Sequence, residues 1–325
     1  MPVLRQNIVT GEWVVIAPLR AKRPEDFIQV TTAKRKYGIA CPFCTSGPEY
    51  ANHNIKEAET KNIYVIPNKF PAYVPEDKVI DDGGGFYYGT RSLGGHEVIV
   101  IKDHDKSLYD LTVEEIEELF SVYQGRYKFY DRNPTIAYTM LIQNWGAEAA
   151  ATIEHPHSQL FASCIIPNRI QMELAGSKYY FNENASCVFC NILEQEKLQQ
   201  VRIVGENKDF LAFTFYAARF PFEIWIVPKI HAAKFDDIND GIKKSLARIL
   251  NEVLAKLGKM LKEPPFNWFI HTAPHIGNHS KNYYHWHLEL TPRLSKFGGY
   301  EMGSGNIIDV VSPEIAAEFL NKRKI

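Results

Sequence analysis

A chain of 325 residues with 45% hydrophobic and 23% charged residues has the balance of a globular protein, long enough for two domains or one duplicated unit. Its formal net charge of −1 offers no global field to a polyanion, which argues against a nucleic-acid reader. No apolar run approaches the roughly 18 residues that span a bilayer. The start MPVLRQNIVTGEWVV lacks the basic and apolar regions of a secretory leader, so the expected compartment is the cytoplasm.

From the N-terminus, PLRAKRPEDF sets Arg20 and Arg23 near a proline. Guanidinium forks suit phosphate, and a solvated basic face is the plain alternative. CPFC (Cys41, Cys44) follows, then PNKFPAY, whose Asn68 and Phe70 offer an amide and a ring on which a base could pack. DDGGGFYYG (Asp81 to Gly89) reads as a flexible loop, because three glycines cost too much backbone entropy inside an element. EVIVI is strand-like and runs on to His104. Ile116, Leu119, Phe120 and Tyr123 recur at helical spacing and predict an amphipathic helix. Strand-like TIAYTMLIQNWG carries Asn144, and HPHSQLFASC carries His155, His157 and Gln159.

The same order then returns. CVFC (Cys187, Cys190) precedes EIWIV, which leads to His231. A helix is predicted from Leu246, Ile249, Leu250, Val253 and Leu254, followed by strand-like FNWFIHTAP and by HWHLELTPR with His285 and His287. The second cysteine stands 60 residues before the post-strand histidine in one half and 41 in the other; that histidine stands 51 and 54 residues before the His-x-His. Matching order with unequal loops is what duplication and divergence leave. Strands joined through one helix, with hairpin-like returns such as FTFYAARFPFEIWIV, predict an α+β fold with mainly antiparallel sheets. The halves are 1–170 and 171–325, with a linker within Ile166 to Ser186. Near the end, RLSKFGGYEMGSGN puts Lys296 beside a glycine-rich loop, a candidate phosphate or sugar contact.

Each half thus offers two thiols and two imidazoles. Zinc favours four-coordinate cysteine and histidine sets, and a closed set is structural. The expected ligands are Cys41, Cys44, His104 and His155, and by analogy Cys187, Cys190, His231 and His285. A C-x-x-C alone could be a redox pair or two buried thiols, but the βαβ setting of redox pairs is absent. Cys164, alone in an apolar stretch, reads as buried filler. His155 and His157, two apart on a strand, could share one ion, or a bend at Pro156 could divide their jobs.

If His155 is a ligand, His157 is free. A neutral imidazole is nucleophilic near neutral pH without a base, and attack on phosphorus gives a labile phosphoramidate. Gln159 can face the same side and donate to non-bridging oxygens, while Asn144, Gly146 and the small alanines of QNWGAEAAAT let a phosphate approach the backbone. The plain alternative is a core or surface histidine. His287 has Glu289 where His157 has Gln159, and a carboxylate repels an anionic phosphoryl group. The first half is the one expected to do chemistry.

HPHSQ, the two cysteine–histidine sets and TGEWVVIAPLRAKRP together resemble the galactose-1-phosphate uridylyltransferase family, the transferase branch of the histidine-triad superfamily. The resemblance runs from TGEWV to GYEMGSG, nearly the whole chain. It implies two tandem histidine-triad-like domains, each a mainly antiparallel sheet with a packed helix, and a homodimer whose partner completes the site. It implies that His157 takes UMP from UDP-glucose and passes it to galactose 1-phosphate, with the carbonyl of His155 fixing the tautomer of His157. Gln159 and Asn144 would hold the α-phosphate, Arg20 and Arg23 the nucleotide phosphates, Asn68 and Phe70 the nucleoside, and Lys296 the sugar phosphate. Zinc, two ions per chain, would be structural. Where the family usually has Gly-x-Ser, this chain has Ala150 and Thr152, so the phosphate pocket is expected to be reshaped. A sister activity on the same scaffold, AMP transfer from ADP-glucose to phosphate, and a non-catalytic zinc-stabilised nucleotide binder are the competing readings.

Overall fold

The computed structural model of the protein describes residues 1–18, 27, 41–51, 55–75, 86, 87, 89–276 and 278–322. Strands β1 (Val3–Gln6) and β2 (Trp13–Ile16) pair as an N-terminal hairpin. After a short helix, α1 (Pro48–Ala51), the first unit runs β3 (Ile63–Pro67), β4 (Gly94–Ile101), α2 (Val113–Asp131), β5 (Tyr138–Trp145) and β6 (His157–Ser163). Helices α3 (Asn168–Asn184) and α4 (Val188–Gln199) lead into the second. That unit runs β7 (Ile203–Glu206), β8 (Phe210–Thr214), β9 (Ile224–Pro228), α5 (Asp240–Leu261), β10 (Phe266–His271) and β11 (His287–Pro292). The chain closes with α6 (Gly299–Ser304), β12 (Ile307–Asp309) and α7 (Pro313–Asn321); β12 lies parallel to β2 in the small sheet.

The repeat in the sequence is a repeat in space. Nine strands form one sheet in the order β3-β4-β6-β5-β10-β11-β9-β8-β7, with neighbouring strands antiparallel. The run β5-β6-β4-β3 is mirrored by β10-β11-β9-β8, and β7 adds an edge. The sheets of the two units are joined through β5 and β10, with Asn144 opposite Asn267. Joining them satisfies two rows of backbone groups that would otherwise be open edges.

Helices α2 and α5 cover one face. A capping box of Thr112 and Glu115 starts α2, and the Asn239 side chain accepts from the Ile242 N–H to start α5. Their apolar stripes, including Leu119, Tyr123, Leu250 and Val253, are fully buried against Ile99, Ile101, Leu141 and Leu160 of the sheet. Each such side chain stabilises the fold by about 1.5–3 kcal/mol relative to exposure. Val98 and Val100, one residue out of phase on β4, instead join Phe43, Tyr64 and Ile66 on the opposite face. The motif residues lie on that second face.

The stretch from Ile166 to Ser186, expected as a linker, is helical over most of its length as α3. Only Ile170, Glu173 and Ser177 of α3 are buried, so no apolar stripe announces it. A Cβ on Gly176 would stand 1.7 Å from the Val9 carbonyl oxygen, so glycine is what lets the N-terminal turn pack on this helix. Residues 81–85 and 88 of the expected glycine loop lie outside the described residues. Among the described residues no helix is long and apolar enough to cross a membrane.

Candidate active site and metal centres

The C-x-x-C turn closes with the Cys44 N–H donating to the Cys41 carbonyl at 3.3 Å. His104 follows β4 and His155 precedes β6, and because those strands are neighbours the four side chains meet. Cys41 Sγ lies 3.5 Å from His155 Nδ1, and Cys44 Sγ lies 3.4 Å from His104 Nδ1 and 3.8 Å from His155 Nδ1. The two Nδ1 atoms are 3.0 Å apart. A zinc tetrahedron has edges of about 3.3 to 3.8 Å between such atoms, which the sulfur–nitrogen distances match, while the two nitrogens stand slightly closer. Protonation agrees. His155 Nε2 donates to the Ile101 carbonyl at 2.6 Å, which turns the Nδ1 lone pair toward the thiols. Burial, more than any neighbour, lowers the His155 pKa to about 4 and keeps the ring neutral. Burial and then the neighbouring Cys41 push the Cys44 thiol up, a repulsion that a divalent cation would reverse.

The second set converges in the same way. Cys190 Sγ lies 3.4 Å from His231 Nδ1 and 3.7 Å from His285 Nδ1, and Cys187 completes the group. His231 Nε2 donates to the Lys281 carbonyl at 2.7 Å, again freeing Nδ1. The hydrogen bond between the cysteines holds Cys187 low and pushes Cys190 up. In both sets the donor chemistry fits zinc.

The two histidines of His-Pro-His are given different surroundings. His157 Nδ1 donates to the carbonyl of His155 at 2.7 Å, so the proton sits on Nδ1 and Nε2 keeps a lone pair. The His157 carbonyl accepts from Gln143 Nε2 at 2.7 Å, and the Phe43 ring meets the imidazole edge-on at 5.1 Å. Burial lowers the His157 pKa, opposed in part by the His155 carbonyl, so the ring is neutral near pH 7. Gln159, two residues on, shares its face and stands opposite Ile142; Asn144, two beyond Ile142, brings a second amide to the same face. This arrangement can present an uncharged nucleophile beside two amides, held by a residue whose own ring belongs to the metal set.

Other expected site residues fall as follows. Arg20 and Arg23 lie outside the described residues. Asn68 follows β3 and is next to His96, while Phe70 is 82% exposed and open to a stacking partner. Thr152 is exposed in the bend before the motif. Ala150 keeps a left-handed backbone, φ 63°, at a cost of about 1–2 kcal/mol that glycine would avoid. Lys296 pairs with Glu148 at 2.8 Å, so the second unit reaches the turn ahead of the motif. Cys164 is half-buried just past the end of β6.

The counterpart in the second unit is closed. His287 is fully buried, with Trp225 stacked at 4.7 Å and Phe189 at 5.0 Å. Its neighbour Glu289 is gripped by Arg219. Glu173, His271, His287 and Glu289 bring ligand atoms within 4.8 Å of one another, a third group able to hold a cation. The sequence reading missed this group. His287 and Glu289 two apart were a signal, but Glu173 sat in the stretch read as linker.

A neutral imidazole and two amides share one face of a doubled α+β unit edged by cysteine–histidine sets, and the family models that match both halves place that unit in a nucleotidyltransferase class. Residues 1–167 match the family model for the N-terminal domain of galactose-1-phosphate uridyl transferase, and residues 173–322 match that for the C-terminal domain. The chain belongs to the galactose-1-phosphate uridylyltransferase family. It is 32% identical to an ADP-glucose phosphorylase of Arabidopsis thaliana, covering 99% of this chain and 93% of that one. It is 28% identical to a galactose-1-phosphate uridylyltransferase of Thermotoga maritima, covering 100% and 99%. The crystal structure of an Arabidopsis thaliana ADP-glucose phosphorylase with bound ADP-glucose superposes with a TM-score of 0.82 at 28% identity, covering both chains completely.

Proposed function

We propose that this protein moves a nucleoside monophosphate from a nucleoside diphosphate glucose to a phosphate-bearing acceptor, with His157 as the nucleophile. The observation that carries this is the 2.7 Å contact from His157 Nδ1 to the His155 carbonyl, which leaves Nε2 unprotonated on the face shared with Gln159 and Asn144. Nε2 attacks the α-phosphorus, the bond to the sugar phosphate breaks, and a phosphoramidate holds the nucleotide. A phosphate oxygen of the acceptor then displaces the imidazole. The Nδ1–H shares the ring's developing positive charge with the His155 carbonyl, and the Gln159 and Asn144 amides donate to the non-bridging oxygens. The departing sugar phosphate is a good leaving group, so catalysis is mostly positioning.

In this reading Arg20 and Arg23 meet the nucleotide phosphates, Asn68 and Phe70 the nucleoside, and Thr152 and Lys296 the phosphate and sugar side. Zinc in two structural sets holds His155 and the C-x-x-C turns. A cytoplasmic homodimer, supported by the family resemblance, belongs to the same proposal. Two donors have separate support. UDP-glucose, with galactose 1-phosphate as acceptor, is supported by the family models that match both halves. ADP-glucose, with inorganic phosphate as acceptor, is supported by the 32% identity to an ADP-glucose phosphorylase.

Intact-protein mass spectrometry after brief incubation with each donor separates these. An adduct of UMP or AMP mass, absent from His157→Ala, is expected, and its mass names the base. Zinc-loaded protein that forms no adduct with either donor would leave a nucleotide-binding protein without the reaction. Metal analysis is expected to find at least two zinc ions per chain, with Cys44→Ser and Cys190→Ser each losing one. Adduct formation is expected to fall steeply in Cys44→Ser, whose set includes His155, and less in Cys190→Ser. Unchanged zinc content in both variants would remove the assigned ligands.

A further inference from the structure

Two amides on the catalytic face already have their carbonyl oxygens occupied. His96, on β4, stacks on Phe161 at 4.0 Å. The Ala72 backbone N–H donates to His96 Nδ1 at 3.1 Å. A backbone N–H can only donate, so Nδ1 bears the lone pair, and the ring, kept neutral by burial, holds its proton on Nε2. That Nε2 stands 2.9 Å from Gln159 Oε1 and donates to it. Asn68 Nδ2 is 3.1 Å from the same nitrogen, but Asn68 Oδ1 accepts from the Phe70 N–H at 2.9 Å, so Asn68 turns a donor toward a donor and takes no part in the bond. Among the described residues Gln159 Nε2 has no protein partner.

A second amide is held in the same way at the junction of the two units. Asn267 Nδ2 donates to the Ala149 carbonyl at 2.9 Å, and a carbonyl can only accept. Its second hydrogen therefore goes to Asn144, whose Oδ1 lies 2.7 Å away. Asn144 Nδ2, like Gln159 Nε2, has no protein partner among the described residues. The Ala72 N–H can only donate and the Ala149 carbonyl can only accept, and these two backbone groups set the direction of each bond that leads to an amide oxygen.

We infer that His96 and Asn267 are positioning residues: they hold the Gln159 and Asn144 amides by their oxygens, so that both present only N–H donors to the transferred phosphoryl group. An unheld amide would offer its oxygen part of the time, and that oxygen repels a phosphoryl oxygen. Holding it removes the wrong state before the substrate arrives. Asn267 lies on β10, so the half without a working nucleophile orients a group in the other half's site. The catalytic part of this inference rests on the proposed reaction at His157.

The test uses two double-mutant cycles on the full chain, reading the rate of nucleotide-adduct formation at saturating donor. His96→Phe keeps a ring against Phe161 and loses the donor; Asn267→Ala loses the amide. Each is expected to slow adduct formation by about 10- to 100-fold, with a smaller change in donor affinity. In a Gln159→Ala background His96→Phe is expected to cost no more than about twofold further, and likewise Asn267→Ala in an Asn144→Ala background. A residue that only supports the fold would cost as much in the second background as in the first, so additivity in a cycle overturns the role for that pair. The orientation has its own readout. Nitrogen-15 NMR of the His96 ring is expected to show the proton on Nε2, and a proton on Nδ1 would overturn the relay in an active enzyme. If the parent forms no adduct while His96 shows the Nε2–H tautomer, the reaction and the catalytic role fail together and the amide orientation stands.

Discussion

The His157→Ala variant is expected to fold like the parent, bind the donor and lose roughly 10⁴- to 10⁶-fold in turnover. In the proposed reaction the loss is large because removing the nucleophile leaves no covalent step to share the barrier, and the remaining amides can only position the substrates. The fold is expected to persist, because the Gln143 side-chain amide donates to the His157 backbone carbonyl, a bond that survives the substitution. Removing the ring forfeits its contact with Phe43 and its hydrogen bond to the His155 carbonyl, a modest cost at the start of an interior strand. The measurement is steady-state nucleotide exchange beside a thermal melt. Turnover within tenfold of the parent, in protein that melts normally, would place the nucleophile elsewhere.

How much of this was legible before the structure depends on the range of each signal. Helices α2 and α5 carry complete apolar stripes and strong caps, so local pattern was enough for them. The two cysteine–histidine sets were legible because the chain states them twice. Helix α3 was not, since its buried side consists of Ile170, Glu173 and Ser177 and has little apolar period. The joining of two sheets into one was equally silent, because the pairing of β5 with β10 is a choice of partner that no local alternation encodes. His96 and Asn267 were missed for the same reason. Each looks like one polar residue in a strand until register puts it beside Gln159 or Asn144. Glu173 meets His271, His287 and Glu289 only through the packing of α3, whose sequence carries too little apolar period to announce a helix.

The largest loss of stability is expected from Arg219→Leu, at about 3–5 kcal/mol near neutral pH. The Arg219 side chain is 17% exposed and grips Glu289, which is wholly buried. It also lies 3.6 Å from Glu223, likewise wholly buried, whose second oxygen accepts from the Arg219 backbone N–H at 2.8 Å. Leucine would leave two buried carboxylates without their guanidinium. Burial alone raises the pKa of Glu289, but Arg219 and then His271 hold it below the ordinary 4.5. In the parent, therefore, the stability Glu289 contributes is complete above that ordinary value and is lost as pH falls through the lower folded value. In Arg219→Leu the burial effect prevails, the folded pKa rises, and the penalty is greatest above it. The gap between variant and parent is thus expected to narrow as pH drops into the mildly acid range. Glu289→Gln in the same chain, which copies the amide that the first unit carries at Gln159, is expected to recover much of the loss by removing one unpaired charge. Denaturant titrations at neutral and mildly acid pH check both statements. A variant as stable as the parent at neutral pH, or a gap that widens in acid, would mean that the carboxylates are balanced by something other than Arg219.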